Sequence, residues 1–213
     1  DKLHPIVARG FLIDVAGAKG VANLEAGYEI TMADVRDALA KQGLADVRLL
    51  PGDGIFFRTG WGVHWIKDNA KFNSGEPGIG MEVAKWLSDT VQAGVVGSDT
   101  WGLENVPAKD AGCAFCVHAH LLTRHGIVNQ ENMDLDALAA DKAWRFLYMY
   151  SPMPIVGATG SAGSPVARSN SPAPVLDNCS ALARSAWLRR SSSTAARRAP
   201  PWRSPAPARM CSK

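Results

Sequence analysis

Hydrophobic positions along residues 10–160 form short apolar runs that are separated by stretches with helical spacing. The apolar runs predict strands, and they lie at residues 10–15, 54–61, 95–97, 127–131, 144–150 and 155–160. Helical spacing predicts helices near residues 32–42, 81–91, 118–125 and 135–140. This alternation predicts a mixed α/β domain with functional loops at the ends of strands.

The helix after Thr31 has the clearest start and stop signals. Thr31 and Asp34 have the spacing of a capping box, and Gly43 follows as a stop signal. Val35 and Leu39 recur at helical spacing between them. These signals predict the helix and both of its ends.

Charge divides the chain into two unlike regions. Seven arginines, one lysine and one aspartate give residues 169–213 a net charge of +7. Because the whole chain has a net charge of +3, residues 1–168 have a net charge of −4. Beyond residue 167 the composition becomes rich in Arg, Ala, Pro and Ser and loses periodicity. We interpret 168–213 as a tail from a shifted reading frame or misjoined exon. A disordered tail is the next alternative, and a nucleic-acid-binding arm is the least favoured.

His118 and Glu131 are the residues that most suggest metal chemistry. A helix from 118 to 125 advances about 12 Å, and a strand from 127 to 131 returns about 13 Å. Because Gly126 can reverse the chain, the two side chains can meet, and an imidazole beside a carboxylate suits zinc, manganese or iron(II). A solvated loop pair remains the alternative. A structural zinc site that uses Cys113, Cys116, His118 and His120 is disfavoured, because these residues are crowded along the chain. Reduced thiols are expected instead.

Seven stretches of the body resemble the cyclase family of metal-dependent hydrolases, which includes kynurenine formamidases and isatin hydrolases. They span about residues 6–167 in the family's order, and they lie at residues 9–15, 27–31, 58–62, 76–80, 97–104, 118–132 and 157–161. The resemblance implies a mixed-sheet, swivelling β/β/α domain at residues 1–167. It matches only the carboxy-terminal part of the family pattern.

The resemblance implies that His118 and Glu131 are the later ligands of a divalent metal ion, zinc or manganese. The family's earlier ligands lie in a His-x-Gly-x-His-x-Asp motif, which this sequence does not contain. The implied activity is arylformamidase-like: hydrolysis of N-formylkynurenine to kynurenine in tryptophan catabolism, or of a related cyclic amide. The alternative is a catalytically inactive remnant or assembly partner that lacks the upstream metal motif. Catalytic residues cannot be assigned.

Trp61, Asp99 and Thr100 are the candidate substrate-binding residues. Trp61 could stack on an aryl group, although packing in the core is the commoner role of tryptophan. Asp99 and Thr100 follow a predicted strand, where a turn-forming role is equally expected. The expected partners are a small aryl amide and a second copy of the chain in a homodimer. No membrane partner is expected, nucleic acid is not favoured, and a cytoplasmic location is the default.

Overall fold

Six strands form the main sheet, in the order β6-β5-β3-β1-β7-β8. The computed structural model describes residues 2–110, 112 and 114–169. Strands β6, β5, β3 and β1 pair in parallel, β7 pairs antiparallel with β1, and β8 pairs antiparallel with β7. The strands are β1 (Ile6–Asp14), β3 (Gly54–Arg58), β5 (Val95–Ser98), β6 (Val128–Gln130), β7 (Arg145–Tyr150) and β8 (Val166–Arg168). The expected mixed α/β fold is confirmed.

Successive residues of the central strands face opposite sides of the sheet, and both sides are buried. Phe11 and Ile13 of β1 pack into one hydrophobic core, whereas Leu12 between them packs into the other. Strand β3 repeats this pattern, because Phe57 joins the first core and Phe56 joins the second. Side chains alternate along a strand, so a continuous apolar run is the pattern of a strand that is covered on both faces.

Short helices cover the sheet. They are α1 (Val15–Lys19), α2 (Met32–Lys41), α3 (Asn69–Asn73), α4 (Met81–Lys85), α5 (Cys116–His118) and α6 (Asp136–Ala140). The capping box of α2 is confirmed, because the Thr31 hydroxyl accepts from the Asp34 N–H and the Asp34 carboxylate accepts from the Thr31 N–H. Helices α4 and α5 each continue as a π-helix, at Trp86–Val91 and Ala119–Arg124. A 3-10 turn, Trp61–His64, follows β3.

A second sheet has two strands and lies next to two buried glutamates. Strands β2 (Glu29–Ile30) and β4 (Gly78–Ile79) pair in parallel. Single bridges then join Glu76 to Val106 and Ile79 to Glu104. The small sheet therefore fixes the backbone of two buried glutamates, Glu76 and Glu104.

One predicted strand is wrong. Residues 155–160 pair with no other strand among the described residues, and they contain a turn with Gly157 at φ +78°. Pro152 and Pro154 restrict the backbone before this run, and Val156 is 84% exposed. The strand that closes the sheet is instead β8, further along the chain. The tail was interpreted as residues 168–213; Arg168 belongs to β8, and residues 170–213 lie outside the described residues. No helix in the described part of the chain has the length and apolar character needed to cross a bilayer.

Candidate metal centre

His118 and Glu131 lie side by side, as the lengths of the helix and strand predicted. His118 is the last residue of α5, and Glu131 directly follows β6. Nε2 of His118 lies 3.0 Å from Oε1 of Glu131. The juxtaposition is confirmed, while metal ligation by this pair stays a prediction.

Glu104 holds the other side of the His118 ring. Its Oε1 lies 2.6 Å from Nδ1 of His118, and its carboxylate also accepts hydrogen bonds from the backbone N–H groups of Val117 and His118. The first N–H groups of a helix have no partner within the helix, so a buried carboxylate at this end satisfies them. The Glu104 carboxylate thus both caps the helix and orients the imidazole of His118.

The two carboxylates favour the protonated imidazole. Hydrogen bonds to Glu104 and then to Glu131 raise the pKa of His118 to about 9, against the opposing effect of burial. Glu104 fixes a proton on Nδ1, so Nε2 is the nitrogen that can exchange its proton for a metal ion. This arrangement is typical of histidine ligands, whose second ring nitrogen donates to an outer carboxylate.

Glu76 is a second buried carboxyl group beside this pair. Its Oε2 accepts a hydrogen bond from the Trp101 N–H at 2.6 Å, while its Oε1 is buried without a partner among the described residues. Desolvation, with a smaller contribution from the charge of Glu131, raises the pKa of Glu76 to about 8. A Cβ on Gly102 would lie only 2.6 Å from Oε1, so the backbone there approaches Glu76 closely. A buried polar atom without a partner indicates a functional group or a bound water.

One aromatic ring contacts the imidazole, and a second lies beside the first. Phe115 lies edge to face with His118, with ring centroids 5.4 Å apart, and its side chain is 45% exposed. Trp101 lies 6.2 Å from Phe115 and donates its indole N–H to the Phe72 carbonyl. Phe115 is therefore an exposed aromatic surface next to the candidate metal ligands.

The three predicted substrate-binding residues are buried instead. Trp61 is 1% exposed and its indole N–H donates to the Phe72 carbonyl. Asp99 accepts hydrogen bonds from the Thr59 N–H and hydroxyl and from the Gly60 N–H. The Thr100 hydroxyl pairs with that of Ser98. These contacts give all three residues a structural role, and their binding of substrate stays a prediction.

Glu104, Glu76 and Phe115 are candidate functional residues that the sequence reasoning missed. The signal was present for the glutamates, because Glu76 opens the stretch 76–80 and Glu104 closes the stretch 97–104 that carried the family resemblance. The expectation of reduced thiols is wrong for Cys116, which is disulfide-bonded. Its sulfur is therefore not a zinc ligand.

A cavity of about 410 Å³ lies elsewhere on the molecule and includes neither His118 nor Glu131. We give it less weight than the His118 cluster, because its lining contains no buried unpaired group and no pairing of an imidazole with carboxylates. It is lined by Glu25, Ala26, Gly27, Tyr28, Glu29, Thr31, Asp34 and Lys109.

The donor set at His118 and Glu131 fits a divalent metal ion in part. It offers one imidazole nitrogen and one carboxylate oxygen, which suit zinc or manganese, and Glu104 supplies the outer contact. A catalytic zinc site usually has three protein ligands and a water. These residues are therefore compatible with a metal cofactor, to which they offer two donor atoms.

Comparison with known proteins places this geometry in context. A family model described as putative cyclase matches residues 1–105. The crystal structure of a novel cyclase is 34% identical over 76% of this chain and 53% of its own, with a TM-score of 0.65. The search of curated proteins found no match.

Two isatin hydrolases share the fold. One, bound to the product analogue thioisatinate, is 21% identical over 75% of this chain and 59% of its own, with a TM-score of 0.60. Isatin hydrolase A from Ralstonia solanacearum is also 21% identical, over 74% of this chain and 58% of its own, with a TM-score of 0.57. The chain spans between half and three fifths of the length of these structures.

Proposed function

We propose that this chain, whose residues 1–105 match the family model of putative cyclases, acts as a metal-dependent hydrolase that cleaves the amide bond of an aryl substrate. The substrate class is an aryl formamide such as N-formylkynurenine, or a related cyclic amide. The observation that carries the proposal is the His118 imidazole, which is held between Glu104 and Glu131 at 2.6 and 3.0 Å. A histidine fixed in this way is a prepared ligand for zinc or manganese.

Each residue of the cluster has a separate task in this proposal. Glu104 keeps the proton on Nδ1 of His118, so that Nε2 presents its lone pair to the metal ion. Glu131 supplies a carboxylate oxygen on the same side. When bound, the metal ion lowers the pKa of water and polarises the amide carbonyl. Phe115 offers the aryl group of the substrate an exposed ring beside this centre.

The solved neighbours support the substrate class. One isatin hydrolase of the same fold is bound to the product analogue thioisatinate. Its substrate class, isatin, is a cyclic aryl amide. Because the identity is only 21%, the likeness shows the fold, and the activity rests on the residues of this chain. The proposal further assigns the chain a role in tryptophan catabolism and a homodimeric state.

The test is hydrolysis of N-formylkynurenine and of isatin by the purified chain with added manganese or zinc, followed by absorbance. We expect metal-dependent turnover that falls at least about a hundredfold in His118→Ala and in Glu131→Gln. His4→Ala is the matched control, because His4 is an exposed histidine outside the cluster.

Absence of turnover with either metal would contradict the proposal and favour the alternative, a catalytically inactive remnant or assembly partner that lacks the upstream metal motif. Sedimentation of the same samples tests the dimer. A monomer with full turnover would remove the dimer from the proposal and leave the hydrolase.

A further inference from the structure

A second cluster of side chains that could bind a metal lies between the helix that carries His118 and a neighbouring helix. His120 and His125 belong to the segment that contains the π-helix Ala119–Arg124, and Asp89 lies in the π-helix Trp86–Val91. One ligand atom from each of the three residues lies within 4.8 Å of those of the other two. None of these three residues is a metal ligand in the proposed hydrolase site.

The π-helical turns explain how the cluster forms. In an α-helix, residues five positions apart are rotated by about 140° and face different directions. A π-helix pairs residue i with i+5, so its wider turn brings such residues together. The rings of His120 and His125 accordingly lie 4.4 Å apart between centroids. Helix α4 packs against this segment, and its π-helical continuation, Trp86–Val91, carries Asp89 to it.

Ser88 fixes the protonation of the buried histidine. Its hydroxyl lies 2.7 Å from Oδ1 of Asp89, 3.1 Å from the Lys85 carbonyl and 2.9 Å from Nε2 of His120. The carboxylate and the carbonyl can only accept, so the single hydroxyl proton points to one of them. The hydroxyl must then accept from Nε2–H of His120. This leaves the lone pair on Nδ1, and a histidine ligand held by an outer partner has this arrangement.

We propose that Asp89, His120 and His125 bind a divalent ion of the zinc, nickel and copper group, and that this ion fastens α4 to the helix that carries His118. Two imidazoles and one carboxylate are the donor set that these ions prefer. His120 is 9% exposed, while Asp89 and His125 are exposed, so the ion can enter from solvent and keep a water. Lys85 and Arg124 lie nearby and reduce the attraction for a dication. This site is independent of the proposed hydrolase activity.

Zinc titration of the untagged full-length chain tests the proposal. His118→Ala with Glu131→Gln first removes the other ligand pair, so that any remaining tight site is the new one. In this parent we expect calorimetry to show one zinc per chain, and thermal unfolding to show a rise in Tm with zinc. Adding His125→Ala should weaken zinc binding more than about tenfold and abolish the Tm rise.

Three further variants make the result specific. Asp89→Asn should act like His125→Ala, and both residues are exposed, so neither change should unfold the chain. Ser88→Ala should weaken zinc binding about tenfold, because it removes the outer partner of His120. His4→Ala should change nothing. Equal zinc affinity in the parent and in His125→Ala, or no zinc binding by the parent, would overturn the proposal.

Discussion

His118 and His120 lie two residues apart on one helix and occupy opposite electrostatic surroundings. Glu104 and Glu131 flank His118 and raise its pKa to about 9. His120 is paired with the Ser88 hydroxyl, and burial lowers its pKa, with a smaller effect from the neighbouring His125. Residues two apart on a helix do not face each other, so one short segment can serve two sites.

The difference shows that the partner of the ring, and not the residue type, decides what a histidine can do. Each imidazole has one nitrogen held by a fixed partner and one that can bind a ligand. Carboxylates around His118 favour a cation there even before a metal binds. Burial around His120 favours the neutral ring, which is the form that binds metals.

The largest expected effect comes from Glu104→Gln, which would make the surroundings of His118 resemble those of His120. This variant loses the charge of a buried carboxylate that accepts from the imidazole and from two backbone N–H groups. We expect the free energy of unfolding to fall by about 2–4 kcal/mol, and the pKa of His118 to fall toward its ordinary 6.5. Urea denaturation and histidine NMR titration measure the two changes.

Glu82→Gln is the control for this variant, because Glu82 is an exposed glutamate in the first turn of α4. It should change the free energy of unfolding by no more than about 0.5 kcal/mol. If Glu104→Gln proved as stable as Glu82→Gln, the capping role of Glu104 would have to be abandoned.

The Glu76 carboxyl group, which lies beside the His118 cluster, makes the free energy of unfolding depend on pH. Its pKa is raised from 4.5 to about 8 in the folded chain, so the native state holds a proton that the unfolded state releases. The stability from this proton is fully present below pH 4.5 and is lost as the pH rises to about 8. Glu76→Gln stays neutral, so its stability relative to wild type should improve by about 3 kcal/mol between pH 5 and pH 8.

Urea denaturation at pH 5, 6.5 and 8 measures this difference. The raised pKa of His118 also lowers stability as the pH rises from 6.5 to about 9, but it does so in both proteins and cancels in the comparison. Parallel pH profiles for wild type and Glu76→Gln would show that Glu76 is ionised in the folded chain.

Gly102→Ala tests how tightly the Glu76 carboxyl group is confined. The added Cβ would lie 2.6 Å from Oε1 of Glu76, too close for ordinary contact. We expect a loss of about 1–2 kcal/mol in the free energy of unfolding. At Gly160 a Cβ meets nothing within 4 Å, so Gly160→Ala is the control and should be nearly neutral. Equal stability of the two variants would indicate that the Glu76 carboxyl group moves freely.

The smallest effect on stability is expected at Phe115, whose side chain is 45% exposed beside His118. Phe115→Ala should cost less than about 1 kcal/mol of stability. It should raise the KM for an aryl amide about three- to tenfold, because an aromatic contact contributes ~0.5–1.5 kcal/mol. Trp65→Ala is the control, since Trp65 is 52% exposed and contacts Phe72 instead. An equal rise in KM for both variants would show that Phe115 has no specific contact with the substrate.

Local patterns in the sequence predicted the parts of this structure that depend on neighbours along the chain. The Thr31 and Asp34 capping box and the meeting of His118 with Glu131 both follow from short-range spacing. The contacts of Glu104 with His118 and of Glu76 with Trp101 join residues 14 and 25 positions apart across separate loops. No periodicity encodes such contacts.

The π-helical turns were also missed, because the amphipathic spacing of residues 81–91 and 118–125 does not distinguish an α-turn from a π-turn. Trp61 was a candidate for stacking on aryl groups, with core packing as the commoner role of tryptophan, and the fold buries it. Strand β8 escaped prediction because Val166–Arg168 lies where the composition changes.

Imidazole 1H–15N spectra recorded during a zinc titration test most directly whether His118 is a metal ligand oriented by Glu104. We expect Nε2 of His118 to lose its proton and shift as zinc binds, while Nδ1 keeps its proton against Glu104. The same titration of Glu131→Gln should need more zinc to reach that shift. Zinc binding that leaves both nitrogens of His118 unchanged would contradict this assignment.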